Sequence, residues 1–171
     1  MDLVECIEGR VSVRGFTSEG VPPELVTEAI RIGNLAPSAG NLQARDFVIV
    51  TDPGTRRSLA QAANQHYVEE APVVIVCCAN LQRISSYGHR GKELYCLQDV
   101  AAAIENMLLF FVKKGYGSCW IGAFDEKAVS RALSIPSHVR PVAMLPIGRP
   151  KAGGEKRPRM DPRQLMHYER W

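Results

Sequence analysis

The sequence predicts a sandwich of helices and strands, of the α/β or α+β class, and three observations carry that prediction. Strand-like runs alternate with helical ones, so a sheet must be covered by helices. Pro72 to Ala79 is a continuous apolar, β-branched run, which fits a strand covered on both faces. Glu93 to Lys114 is one long, largely apolar helix, ended by Gly115 with two lysines in its last turn.

The remaining elements follow in order. Asp2 to Gly9 reads as a short helix. Pro22 and Pro23 open a helix to about Asn34, with Leu25, Val26, Ala29 and Ile30 at helical spacing. Ala36 to Gln43 is a loop of Pro, Ser, Gly and Asn, and Phe47 to Thr51 is a short strand. Pro53-Gly54 leads into a helix to about Gln65, and Leu81 to Lys92 is loop-like. Ser118 to Phe124 reads as a strand, Asp125 to Leu133 as a helix with an acidic start, and Pro141 to Ile147 as a strand. The last 22 residues form an irregular arm.

The long helix is apolar almost all round. Leu97, Val100, Ala101, Ile104, Leu108 and Phe111 form one stripe, and Ala102, Ala103, Met107, Leu109, Phe110 and Val112 fill much of the opposite face. A helix of that kind is buried, and a chain of 171 residues has little room to surround it. The expectation is an obligate homodimer with this helix at its centre; the alternative is the central helix of a monomeric core.

Composition sets the outer bounds. Hydrophobic residues are 46% and charged residues 23%, which excludes disorder and fibrous repeats. The longest apolar stretches, Met107 to Val112 and Ala71 to Ala79, fall far short of the ~20 residues of a membrane span, and the first residues do not resemble a signal peptide. Five cysteines without CxxC spacing and four scattered histidines argue against zinc and for reduced thiols. No metal, no membrane contact and a cytoplasmic location are expected. The net charge of +3 is uneven: Arg149 to the C-terminus holds seven basic and three acidic residues. A nucleic-acid role for that tail is disfavoured, because it lacks interleaved aromatics and any groove-reading motif.

Four segments are candidates for chemistry. In Arg10-Val11-Ser12-Val13-Arg14, an extended chain puts Arg10, Ser12 and Arg14 on one face, about 6.6 Å per step. Two guanidinium forks and a hydroxyl on one ridge suit a phosphate and the length of an extended ligand. Ala36 to Gln43 offers backbone N–H groups and short polar side chains. The run Gly115 to Phe124 is not a dinucleotide fingerprint, because it leaves a helix and enters a strand; its Gly122 and Ala123 allow close backbone approach to a flat ring. In the tail, Arg157 and Arg159 repeat the i, i+2 spacing.

Taken together, these segments resemble the FMN-dependent nitroreductase family. The matching pieces run in family order: R-V-S-V-R-G-F at 10–16, A-P-S-A-G-N-L-Q at 36–43, A-P-V-V-I-V at 71–76, Q-D-V-A-A-A-I-E-N-M-L-L at 98–109, G-S-C-W-I-G-A-F at 117–124 and P-I-G-R-P at 146–150. The resemblance implies a single α+β domain over residues 1–171, a three-layer sandwich with a mostly antiparallel sheet, dimerising through its long central helices. Residues 148–171 would form an arm reaching the partner subunit. FMN would bind non-covalently at the interface, with Arg10, Val11, Ser12 and Arg14 along phosphate, ribityl and one flavin edge. Pro37, Ser38, Ala39 and Asn41 would reach it from the partner, Gly122 and Ala123 would lie against the flavin, and Arg157 and Arg159 would return to the phosphate. Asn64 or Gln65 would face the pyrimidine edge.

The implied activity is ping-pong reduction of nitroaromatics, quinones or similar flat acceptors by NADH or NADPH through FMN. No side chain is expected to act as catalytic acid or nucleophile. Other flavin chemistry on the same scaffold (dehalogenation, ene reduction, reduced-flavin supply), or a flavin-binding module, is the alternative. Many members follow N-x-Q with Pro-Trp, where this chain has Ala44-Arg45-Asp46. The chain is at the short end for the family, with the flavin-covering insertion reduced to the stretch around Ser85 to Gly91.

Overall fold

The computed structural model describes residues 1–171. The helices are α1 (Leu3–Gly9), α2 (Pro23–Asn34), α3 (Pro53–Ala63), α4 (Tyr67–Glu70), α5 (Gly88–Arg90), α6 (Cys96–Lys113) and α7 (Glu126–Ala132). The strands are β1 (Arg45–Val50), β2 (Val73–Asn80), β3 (Gly117–Ser118) and β4 (Val139–Gly148). They form one antiparallel sheet in the order β1-β2-β4-β3. The expected α+β sandwich is what forms.

Strand alternation builds the three layers. Val73, Ile75, Cys77 and Ala79 face a core shared with α2 and α6, while Val74, Val76 and Cys78 face a second core with α3, α4 and α7. Adjacent Cys77 and Cys78 therefore lie in different cores, and all five cysteines are buried free thiols. Burial pushes the Cys78 thiol up to about 12 and that of Cys77 well above its ordinary value.

Local chemistry fixes the ends. Asp2 accepts the Glu5 N–H and Glu5 returns the bond to Asp2, a capping box that starts α1. Asp52 caps α3 and Asp125 caps α7. Arg149 closes α6 by donating to the Lys114 and Gly115 carbonyls while stacking 4.1 Å over the Tyr116 ring.

Six expectations are corrected. Ser118 to Phe124 is not a continuous strand: β3 is two residues, and Ile121 alone rejoins the sheet by exchanging hydrogen bonds with Met144. Leu81 to Lys92 is not loop-like after Ser85, because short turns and a wide turn over Gly91–Tyr95 run straight into α6. Gly91 permits this, since a Cβ there would lie 2.6 Å from Tyr87. Near Gln65, α3 stops two residues early because Asn64 turns left-handed at φ 50°. β1 starts at Arg45 rather than Phe47, and β4 runs from Val139 to Gly148. On α6, Ala103 and Met107 are buried with Val100, Ile104, Leu108 and Phe111, whereas Leu97, Ala101, Ala102, Leu109, Phe110 and Val112 are half-buried.

Ser85–Lys113 is long and apolar enough to cross a membrane by composition. In this fold its main part, α6, is the core helix, packed on α2, β2 and β1 with Asp99 buried in the first turn of α6. Apolar surface is left elsewhere. Leu3, Val4 and Ile7 of α1 and Met160, Leu165, Met166 and Tyr168 of the arm are exposed. So are both tryptophans, Trp120 at 40% and Trp171 fully, the latter stacked on His167.

Candidate functional site

The Arg10–Arg14 segment lies along the β3 edge of the sheet. The Val13 N–H donates to the Ser118 carbonyl at 2.9 Å, and Ser12 bridges Ser118 in parallel. Val13 is buried and Arg14 exposed, as alternation predicts, whereas Val11 is half-buried like Arg10 and Ser12 and lines the same cleft as they do. Gly117 makes this edge passable, because a Cβ there would sit 2.7 Å from Val13.

The tail returns to the same edge. A Cβ on Gly154 would lie 2.5 Å from Val11 and 2.9 Å from the Ser12 carbonyl, so only glycine lets the arm pass this close. Beyond it, Arg157 and Arg159 join Arg10, Val11, Ser12 and Arg14 around a cleft of about 790 Å³. The cleft carries five cationic side chains (Lys156 is the fifth) against Glu8 and Glu155. None of the four arginines forms an ion pair within the chain. Arg159 Nη1 donates to the Arg157 carbonyl at 3.4 Å, and no carboxylate occupies any of the four forks, a set that suits an anion such as phosphate.

Tyr67 completes this side and was not anticipated from the sequence. Its hydroxyl lies 3.6 Å from the Cys119 sulfur, and Cys119 is 3% exposed. Burial pushes the phenol up to about 12, with the thiol adding to the rise and the nearby Arg14 guanidinium opposing it. Gly122 and Ala123 are exposed, and a Cβ on Gly122 would meet nothing of the protein within 4 Å. Asn64 and Gln65 are exposed at the end of α3, tied to the Gly122 region by the Asp125 N–H donating to Ala62.

The Pro37–Asn41 loop lies elsewhere. It sits over the start of β1, whereas Arg10–Arg14 runs beside β3. The two edges are three strand spacings apart, on the order of 14 Å. They also lie at different ends of the strands, since Arg45 is level with Ala79 and Ser118 with Ile147 and Val73. The structure thus brings together Arg10, Val11, Ser12, Arg14, Arg157 and Arg159, and leaves Pro37, Ser38, Ala39 and Asn41 at the far corner of the chain.

Two groups of that loop are already committed. The Ala39 N–H donates to the Asp99 carboxylate at 2.9 Å, and the Ser38 hydroxyl accepts the Gln43 N–H at 3.0 Å. What remains outward is Pro37, the loop surface and the exposed Asn41.

Comparison with known proteins identifies the family. The Nitroreductase family profile matches residues 7–70 and 58–149. The FMN reductase (NADPH) of Bacillus subtilis is 29% identical over 183 residues, covering 98% of this chain and 73% of that protein. The NADPH-flavin oxidoreductase of Vibrio harveyi is 30% identical over 179 residues, covering 99% of this chain and 75% of that protein. The solved structure of the NADPH:FMN oxidoreductase from Vibrio harveyi complexed with NAD+ superimposes with a TM-score of 0.91 at 28% identity, over 99% of this chain and 77% of that one. With most of the sequence matched and the fold shared end to end, the chain belongs to the nitroreductase family.

Proposed function

We infer that this chain is a flavin-dependent NAD(P)H oxidoreductase, a cytoplasmic homodimer that binds FMN and reduces small flat acceptors of the nitroaromatic or quinone kind. The observation that carries the reading is the convergence of two arginine pairs, Arg10 with Arg14 and Arg157 with Arg159, from opposite ends of the chain on one cleft in which none of the four is ion-paired. The named relatives act with FMN, flavin and NADPH, which supports the same cofactors here.

FMN, when bound, supplies the hydride relay between a nicotinamide and the acceptor. The chain's own residues bind and orient. Arg10 and Arg159 hold the phosphate, with Arg157 beside them, and Ser12 offers a hydroxyl to the ribityl chain. Arg14 would supply a fixed cation that favours the anionic reduced form of the cofactor. Gly122 and Ala123 present backbone without a side chain in the way, and Asn64 or Gln65 offers an amide to the flavin edge.

The corner-to-corner separation within one protomer supports a shared site, in which Pro37, Ser38, Ala39 and Asn41 serve the partner's FMN. The half-buried Ala102 and Leu109 of α6 and the exposed apolar residues of α1 support dimerisation through the central helices. On this reading residues 1–171 are one domain, and the apolar side chains beyond Met160 dock on the partner.

The test is the visible spectrum of the purified protein, repeated with added FMN and then anaerobic NADH or NADPH. Flavin bands that bleach with a nicotinamide and return with a quinone or nitroaromatic are the expected result. Failure to bind FMN would sink the reading, and bound flavin that neither nicotinamide reduces would make this a flavin-binding module.

A further inference from the structure

The Ala44-Arg45-Asp46 segment replaces a Pro-Trp pair common in the family, and the structure puts an unusual arginine there. Arg45 is 3% exposed although it stands at the first position of an edge strand. All five of its N–H donors are used. Nε donates to Asn34 Oδ1 at 3.2 Å, Nη1 to the Pro37 and Asp99 carbonyls at 3.3 and 3.0 Å, and Nη2 to the Asn34 and Ala36 carbonyls at 2.9 and 2.7 Å. Asp99, from α6, works in the opposite sense: its carboxylate accepts the Ala39 N–H at 2.9 Å and the Ala44 N–H at 3.4 Å. From outside, Arg83 donates to the Gln43 and Arg45 carbonyls at 2.6 and 3.0 Å.

What these side chains grip is a strained loop. Gly40, Asn41 and Gln43 all have positive φ, at 55°, 55° and 50°. Side chains rarely adopt that conformation unless the surroundings over-determine it. Arg45 takes the carbonyls on one flank of the loop and Asp99 takes amides at its middle and end, so neither flank can relax without leaving buried polar groups unpaired.

We propose that Arg45 and Asp99 form a clasp that positions the Pro37–Asn41 loop for the FMN of the partner subunit, so that a residue buried in one protomer sets cofactor affinity in the other. This rests on the shared-site reading above. Arg45 is a positioning residue and touches no ligand. Lysine cannot replace it, because one ammonium has three donors and no fork.

The test uses Arg45→Lys and Asp99→Asn, measuring FMN affinity by flavin fluorescence and amide exchange over residues 36–44. Both variants are expected to exchange faster in the loop and to bind FMN on the order of ten-fold more weakly. The decisive arm is a mixed dimer of one Arg45→Lys and one Arg10→Ala subunit. Arg10 serves its own cleft and Arg45 the partner's, so one site carries both defects and the other carries none. One site of wild-type affinity per mixed dimer is therefore expected. If Arg45→Lys only damaged its own subunit, both sites would be weak, and that outcome overturns the proposal, as does wild-type FMN affinity in both variants. Failure of the wild-type protein to bind FMN would sink the functional reading instead. Loop exchange would still decide the clasp, since unaltered protection in both variants overturns it.

Discussion

Two corners of this molecule are organised around arginine, and they use it in opposite ways. At the β3 corner, Arg10, Arg14, Arg157 and Arg159 line an open cleft with no carboxylate bound to any of them. At the β1 corner, Arg45 is buried with every donor satisfied by the protein. The lesson is that the residue type does not declare the role. An arginine whose forks are empty is available to a ligand; one whose forks are full is architecture.

The contrast can be broken first through stability. Arg45→Ala should lower folding stability by at least about 3 kcal/mol, because it leaves several buried carbonyls without donors. Urea denaturation of the apo protein checks this, and a loss below about 1 kcal/mol would mean the loop holds itself. Arg10→Ala should show the inverse profile: roughly 1.5–3 kcal/mol lost from FMN binding, the scale of a charge-assisted hydrogen bond, and under about 0.5 kcal/mol lost from folding. Unchanged FMN affinity would remove Arg10 from the phosphate site.

A smaller effect probes the arm. Gly154→Val should push the tail off Val11 and Ser12 and weaken FMN binding by about 1 kcal/mol through displacement of Arg157 and Arg159. Wild-type titration of flavin fluorescence in that variant would show that the arm is not part of the cleft. The smallest effect is a pH dependence beside Arg14. Tyr67 has its folded value pushed up to about 12 from 10.0, chiefly by burial. A group raised in this way stabilises the fold fully below pH 10, and that contribution is lost as pH rises towards 12. The difference in phenolate absorbance between the wild type and Tyr67→Phe should therefore titrate late, towards 12; a difference that titrates near 10 would contradict the buried contact with Cys119.

The two corners also differ in how far the sequence alone reveals them. The ridge at Arg10–Arg14 depends on a period of two within five residues, a local pattern that is kept at Val13 and Arg14 but not at the half-buried Val11. The twin spacing of Arg157 and Arg159 is equally local, although the passage past Val11 that Gly154 permits is not. The clasp at the other corner was invisible, because Arg45 meets its partners from 8 to 54 residues away and Asp99 reaches back 60 residues to Ala39. A charged residue opening a strand carries no mark of burial. Tyr67 escaped notice for the same reason, its contact with Cys119 spanning 52 residues. The strand expected over Ser118 to Phe124 failed for a different cause: apolar residues there face the core from a chain that leaves the sheet after β3 and rejoins it only at Ile121.

The two tryptophans give the molecule an optical property of its own. Neither indole is in a core, since Trp120 is 40% exposed beside the buried Cys119 and Trp171 ends the arm in full contact with water. Intrinsic emission will therefore report little of the unfolding of the sandwich. It will report events at the periphery: Trp171 should shift to the blue when the arm docks, and quenching of Trp120 should follow occupation of the adjacent surface. On the proposed reading, the two indoles would report separately on assembly and on binding.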